Sequence, residues 1–155
     1  MKRIMFVCHG NICRSPMAEF VFKEMINQRG ISSDFYVSSS ATSTEEIGNP
    51  VYAPARAELA KHGINCDCKR SVQLVRSDYD KYDLFVGMDS ANIRNMLRIF
   101  GSDPEGKVSR LLDYTGQGRD VADPWYTGIF DVTYSDVRDG CTALLKSILG
   151  DKEII

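Results

Sequence analysis

Short apolar segments alternate along the chain with longer segments in which apolar residues recur every three or four positions. The short segments border polar or glycine-containing stretches, which is typical of buried strands. They are Arg3–Cys8, Asp34–Thr42, Asp83–Met88 and Lys107–Asp113. The longer segments carry the stripe of an amphipathic helix and lie near residues 15–30, 51–63, 93–100 and 130–148. In the first of them, Ser15 is expected to cap the helix and Gly30 to end it.

This alternation predicts an α/β fold, in which right-handed crossover helices cover both faces of a parallel sheet. The chain has no internal repeat and no linker long enough to divide it, so we expect one domain over residues 1–155. Ligands of such sheets bind beyond the carboxyl ends of the strands. The segment VCHGNICRSPMAE, Val7 to Glu19, lies at that end of the first strand.

Charge and cysteine content narrow the functional class. The net charge is -2, which gives no reason to expect nucleic acid as a partner. The N-terminal apolar run is too short for a signal peptide, and no stretch is long enough to cross a membrane. Five cysteines is an odd number for a secreted disulfide framework. We therefore expect a reduced cytoplasmic protein that is not bound to membranes.

The segment after the first strand has the composition of an anion-binding loop. Gly10 and Asn11 readily adopt left-handed backbone angles, so the loop can turn successive N–H groups inward. The following helix adds its own free N–H groups, and Arg14 can grip two oxygens of a tetrahedral anion. The positive potential of the helix N-terminus and of Arg14 favours the thiolate of Cys8, to which Ser15 can donate a hydrogen bond. A thiolate on the floor of a phosphate cradle is a nucleophile directed at phosphorus.

Two other interpretations of these residues fit less well. A nucleotide-binding P-loop requires a Gly-Lys-Ser/Thr ending that the segment lacks. A zinc site built from Cys8 and Cys13, or from Cys66 and Cys68, lacks matching ligand pairs in a chain with only two histidines. We therefore expect neither a metal nor a cofactor.

A general acid is also needed, because attack on a phosphate ester expels an alkoxide or phenoxide. Asp123 in the segment ADPWYTG is our candidate. Pro124 stiffens its loop, and Trp125 and Tyr126 can shield the carboxyl group and favour its protonated form. An ordinary Asp-Pro turn with an aromatic anchor is the alternative interpretation of the same residues.

The segment VCHGNICRSPMAE resembles the signature V-C-x-G-N-x-C-R-S-P-x-A-E of the low-molecular-weight protein tyrosine phosphatases at every fixed position. The resemblance continues through SSSATSTEEIGNP, GMDSANIRNM and ADPWYTGIFDVTY. It implies a three-layer α/β/α fold of the flavodoxin or Rossmann type, with four parallel strands in the order 2-1-3-4. It also implies a monomer or weak dimer that hydrolyses phosphotyrosine in a protein or peptide without a metal or other cofactor.

The resemblance assigns a role to each candidate site residue. Cys8 would form a phosphocysteine, Arg14 would bind the phosphate, and Asp123 would act as general acid and then as general base. Loop positions His9, Gly10, Asn11, Ile12, Cys13 and Ser15 would surround the phosphate, and Asn11, Ser15 and Ser39 would support the loop. The rim of the pocket would consist of His9, Ile12, Glu45, Glu46, Trp125 and Tyr126. Cys13 would form a reversible disulfide with Cys8 under peroxide.

Two departures from the family pattern affect this assignment. Cys68, Lys69 and Val72 stand in a segment where the family often has a histidine followed by Ser/Ala-Arg, so part of the loop's support is missing or rebuilt. Glu45 stands where an aromatic residue is frequent, and with Glu46 it would repel acidic peptides. A thiol-coupled arsenate reductase that uses the same loop, with Cys66 and Cys68 passing on the disulfide, stays open as the alternative function.

Overall fold

The computed structural model describes residues 1–150, so the last five residues of the predicted domain lie outside the described residues. One parallel sheet organises the fold, and its strands are β1 (Lys2–Cys8), β2 (Phe35–Ala41), β3 (Leu84–Gly87) and β4 (Val108–Arg110). The helices are α1 (Arg14–Gln28), α2 (Ala53–Lys61), α3 (Ser90–Phe100), α4 (Pro124–Thr127) and α5 (Phe130–Leu149). The strand order is β2-β1-β3-β4, which confirms the predicted order.

The central strand β1 is buried on both faces, and its alternating side chains serve two separate cores. Ile4, Phe6 and Cys8 point into the layer formed by α1, α2 and α5. Met5 and Val7 point into the opposite layer, where they join α3. This arrangement places the end of β1, and therefore Cys8, at the centre of the carboxyl edge of the sheet.

Two predicted boundaries are wrong for identifiable reasons. The first helix begins at Arg14, so Ser15 lies inside it and does not cap it; the residue before the helix, Cys13, makes no side-chain cap. The fourth strand ends at Arg110 and continues as a 3-10 helix at Leu111–Thr115. A strand would send Leu111 and Leu112 to opposite faces, whereas both are fully buried here. Leu111 packs closely on Gly140 of α5, where a Cβ would collide with it.

None of the helices within residues 1–150 has both the length and the apolar character needed to cross a lipid bilayer. The longest, α5, packs one buried stripe against α1, α2 and the 3-10 helix at Leu111–Thr115.

Candidate active site

The loop between β1 and α1 turns its carbonyl groups away from its centre. The carbonyl oxygens of Cys8, His9, Gly10 and Ile12 accept hydrogen bonds from Thr42 N (3.0 Å), Ser43 N (3.1 Å), Ser71 Oγ (2.8 Å) and Tyr52 N (2.8 Å), respectively. Because these outward contacts satisfy the carbonyls, the N–H sides of the peptide groups face the hollow of the loop. A concave set of N–H groups at a helix N-terminus is an anion-binding site.

Asn11 sets the curvature of this loop. It has a φ of 59°, the only positive φ of a non-glycine residue within residues 1–150. Its side-chain Nδ2 donates to Ser15 Oγ (2.8 Å) and Ser39 Oγ (2.9 Å), and its Oδ1 accepts from Val72 N (3.1 Å). These three bonds offset the cost of the left-handed backbone.

Gly10 does not share the left-handed conformation that the sequence predicted for it, since its φ is not positive. Instead, the space at its missing Cβ is occupied, because a Cβ placed there would lie 3.3 Å from Cγ of Glu46. Gly10 therefore allows the rim segment that carries Glu46 to approach the loop.

Cys8 receives three hydrogen-bonding groups at its sulfur atom. The backbone N–H groups of Asn11 and Ser15 lie 3.3 and 3.4 Å from Sγ, and Ser15 Oγ lies 3.0 Å from it. Donors directed at sulfur stabilise the thiolate over the thiol. The Ser15 hydroxyl is engaged here, which explains why it does not cap the helix.

Arg14 is the first residue of α1, and its side chain is only 3% exposed. Nη1 donates to Asp89 Oδ2 and to the carbonyl oxygen of Val121, both at 2.8 Å, and Nη2 lies 3.4 Å from Asp123 Oδ2. Burial alone would lower the pKa of Arg14, but the net shift is upward. The anionic groups that raise it are Cys8, Asp123 and Asp89. The guanidinium is therefore held as a fixed positive charge.

Asp123 faces the loop from the opposite wall. Its Oδ1 accepts a hydrogen bond from Trp125 N (3.0 Å) and caps the one-turn helix α4. Its Oδ2 points towards Arg14. Trp125 is 53% and Tyr126 84% exposed, while the Asp123 side chain is 27% exposed. Both rings line the pocket together with the carboxylate.

The Cys13 thiol is buried beside Cys8. Burial raises the pKa of Cys13, and the charges of Cys8 and Asp123 raise it further, while Arg14 opposes them. Cys13 therefore stays protonated at neutral pH. The loop thus places a buried, protonated thiol next to the cysteine whose sulfur receives the hydrogen-bonding groups.

One pocket brings most of the predicted residues together. It is lined by Cys8, His9, Gly10, Ile12, Cys13, Arg14, Glu45, Glu46, Asp123, Trp125 and Tyr126. The three predicted support residues, Asn11, Ser15 and Ser39, lie buried behind the loop. Cys66 and Cys68 do not line the pocket; the first is buried and the second exposed.

The rim has an acidic side and an aromatic side. His9 Nε2 lies 2.9 Å from Glu45 Oε2, and Asn49 Nδ2 donates to Glu46 Oε2 at 2.6 Å. Across the mouth, Trp125 is supported by Tyr52, whose ring centroid lies 4.8 Å away. A flat aromatic group can enter between these sides with its phosphate directed at the loop.

Sequence reasoning missed three residues that hold the site, namely Asp89, Glu19 and Tyr52. Asp89 lies two residues after the end of β3 at the carboxyl edge of the sheet and caps α3 by accepting a hydrogen bond from Asn92 N (2.8 Å). Its position after a buried strand was a usable signal. Tyr52 gave no signal, because an aromatic residue near a proline is a common surface feature. Glu19 is the last fixed position of the signature V-C-x-G-N-x-C-R-S-P-x-A-E, but the signature alone assigned it no role.

Comparison with known proteins shows similarity over nearly the whole chain. The sequence profile described as low molecular weight phosphotyrosine protein phosphatase matches residues 3–153. Low molecular weight protein-tyrosine-phosphatase YfkJ of Bacillus subtilis is 35% identical over 156 residues, covering 99% of this chain and 100% of that protein. The low molecular weight phosphotyrosine protein phosphatase of Rattus norvegicus is 34% identical, with 94% of each chain covered.

Solved structures show the same similarity in three dimensions. The crystal structure of YfkJ matches with a TM-score of 0.93, over 98% of this chain and 97% of that chain. A low molecular weight protein tyrosine phosphatase from Streptococcus pyogenes matches with a TM-score of 0.88 at 37% identity, over 98% of this chain and 96% of that chain.

Proposed function

Since the chain belongs to the low molecular weight phosphotyrosine protein phosphatase family and is therefore a protein tyrosine phosphatase, we propose that Cys8 and Asp123 carry out its hydrolysis of phosphotyrosine in two steps. One observation carries this proposal. Cys8 Sγ, the guanidinium of Arg14 and the carboxylate of Asp123 meet in a single pocket, with three hydrogen-bonding groups directed at the sulfur.

In the first step, the Cys8 thiolate attacks phosphorus and the bond from phosphorus to the tyrosine oxygen breaks. Asp123 gives its proton to the leaving oxygen, so phenol is released and a phosphocysteine remains. A bound phosphate dianion favours the protonated form of Asp123, because it places negative charge beside the carboxyl group. Arg14 and the loop N–H groups stabilise the negative charge on the three equatorial oxygens.

In the second step, Asp123 takes a proton from a water molecule, which attacks phosphorus. The sulfur–phosphorus bond breaks, inorganic phosphate leaves, and the Cys8 thiolate and the protonated Asp123 are restored. Cys13 has a separate role in this proposal. If peroxide oxidises Cys8 to a sulfenic acid, the Cys13 thiol condenses with it to a disulfide and water, and cellular thiols reverse this step.

The reactive thiol also bears on where the enzyme works. All five cysteines at positions 8 to 141 are free thiols in the described chain. Because the mechanism needs a reduced Cys8, we assign the enzyme to a reducing compartment such as the cytoplasm.

Hydrolysis of two aryl phosphates that differ in leaving group tests the mechanism. Cys8→Ser is expected to abolish turnover of both substrates. Asp123→Ala should lower kcat by roughly 100- to 10,000-fold on phenyl phosphate, whose leaving group needs a proton, and far less on 4-nitrophenyl phosphate. Asp131→Asn, an exposed carboxylate change at the start of α5, is the matched control and should leave both rates unchanged.

Two results would contradict the proposal. Turnover that survives Cys8→Ser would show that Cys8 is not the nucleophile. A loss of kcat in Asp123→Ala that is equal for both leaving groups would show that Asp123 is not the general acid. Reduction of arsenate by thioredoxin, dependent on Cys66 or Cys68, would instead support the reductase alternative.

A further inference from the structure

A buried carboxylate lies beneath the phosphate loop and takes no part in the proposed chemistry. Glu19 of α1 is 4% exposed, and its Oε1 accepts a hydrogen bond from Ser39 Oγ at 2.6 Å. Lysine ammonium groups approach it from two sides. Lys23 binds Oε2, and Lys69 Nζ lies 3.7 Å from Oε1, the same oxygen that Ser39 binds.

An ionised Glu19 fixes the direction of a hydrogen-bond chain that ends at Cys8. A carboxylate can only accept, so Ser39 must donate its one hydroxyl proton to it. Ser39 Oγ then accepts from Asn11 Nδ2, whose second proton goes to Ser15 Oγ. Ser15 is thereby left with its own proton free for Cys8 Sγ, 3.0 Å away. Each bond in this buried chain polarises the next one.

The two lysines hold Glu19 in different ways. The Lys69 side chain is 11% exposed and is fixed by donation to the Ser39 carbonyl oxygen at 2.8 Å. The Lys23 side chain is 43% exposed, so solvent screens its contribution. Burial lowers the pKa of Lys69, but the attraction of Glu19 opposes that shift, as does Cys8. Lys23 repels Lys69 and so also lowers its pKa.

We propose that Lys69 is a positioning residue for the nucleophile: it keeps Glu19 ionised, and through Ser39, Asn11 and Ser15 it directs a hydroxyl proton at the Cys8 thiolate. Without this ammonium group, a buried carboxylate is stabilised by taking up a proton. A protonated Glu19 can donate its proton to Ser39 Oγ instead of accepting one from it, so the hydrogen bonds between Glu19 and Cys8 lose their fixed direction. The inference rests on the proposed function of Cys8 as the reactive thiolate.

The test measures how fast iodoacetate alkylates Cys8 as a function of pH, with the modified cysteine identified by peptide mass mapping. In Lys69→Met, which keeps the length of the side chain but removes its charge, the alkylation rate at about pH 5 should fall about tenfold, and the profile should shift to higher pH. Lys69→Arg should restore the rate to within about threefold, because it restores the charge. Lys23→Met, the matched control on the other carboxylate oxygen, should change the rate by less than about twofold.

A double-mutant cycle distinguishes an effect of Lys69 that passes through the hydrogen-bond chain from a general effect of its charge on Cys8. In a Glu19→Gln or Ser39→Ala background, Lys69→Met should cause almost no further change. An unchanged profile in Lys69→Met would overturn the inference. So would an equal effect of Lys23→Met, or full additivity in both backgrounds. Because alkylation needs no turnover, a phosphatase mechanism that fails in the aryl phosphate assay leaves this result interpretable.

Discussion

Glu45 and Glu46 are the two carboxylates that a substrate protein meets at the mouth of the pocket. The Glu45 side chain is 68% exposed and pairs with His9, while Glu46 is held by Asn49. At neutral pH, we infer that the rim presents net negative charge to the residues that flank the phosphotyrosine.

This rim charge predicts a preference for basic peptides. Phosphotyrosine peptides with lysine beside the phosphotyrosine should have a lower KM than peptides of the same length with glutamate there. Glu46→Gln should reduce the ratio of the two KM values by roughly 1.5- to 5-fold, which corresponds to the free energy of one exposed charge pair. Added salt should have the same effect on the wild type. Identical KM values for both peptides at low salt would show that the rim does not select by charge.

At the scale of elements, the sequence was most informative where a signal is local. The strands follow from short apolar runs and the anion loop from VCHGNICRSPMAE, while the strand order was implied by the family resemblance. Helix α4 was missed because it has only four residues, although Asp123 begins it and Gly128 ends it with a φ of 72°. Asp89 was missed because its contact with Arg14 joins positions 75 apart, and no periodicity reports such a contact.

The loop that carries Asp123 depends on such long-range contacts. Arg119 grips Asp136 of α5 through two hydrogen bonds of 3.0 and 2.9 Å, and Val121 N donates to the Met88 carbonyl oxygen at 2.9 Å. Asp136 is 8% exposed, so its charge needs a partner. The bidentate pair therefore links the acid loop to the longest helix.

We expect Arg119→Met to reduce both stability and catalysis. The free energy of unfolding should fall, but by less than for a fully buried pair, because the Arg119 side chain is 49% exposed. The kcat for phenyl phosphate should fall several-fold as Asp123 loses its fixed position. Urea unfolding and steady-state rates measure these effects. Arg98→Met, which removes an exposed Arg98–Asn95 contact on α3, is the control. Equal effects of the two substitutions would refute a specific role for Arg119.

At the scale of the whole molecule, the catalytic groups lie at one edge of the sheet, and a hydrogen-bonded carboxylate that they do not contact, Asp103, lies at the other. The carboxyl edge gathers Cys8 at the end of β1, Asp89 after β3, and Asp123 in the loop beyond β4. Before β4, at the other edge, Asp103 accepts hydrogen bonds from Lys107 N (2.8 Å) and Val108 N (3.1 Å), and also from the Tyr79 hydroxyl. A substitution there should alter stability without altering catalysis.

The stability of Asp103→Asn at two pH values, measured together with its kcat, tests the role of this carboxylate. Burial alone would raise the pKa of Asp103, but its hydrogen bonds, the largest from Tyr79, lower the pKa below its usual value. A carboxylate with a depressed pKa in the folded state stabilises the fold above its unfolded pKa of about 3.9, and this contribution is lost as pH falls towards the folded pKa. The substitution should therefore destabilise the protein more at pH 7 than in acid, with kcat unchanged. A destabilisation that is the same at both pH values would contradict the assigned charge.

The covalent intermediate on Cys8 gives the most direct test of the mechanism. Wild type and Asp123→Ala would be acid-quenched during turnover of 4-nitrophenyl phosphate, and the cysteine-containing peptides analysed by mass spectrometry. We predict one phosphoryl group on the peptide that contains Cys8, with more of it in Asp123→Ala because the water that hydrolyses it is no longer activated. Continued turnover with no phosphoryl group on Cys8, or with the group on another residue, would contradict the account.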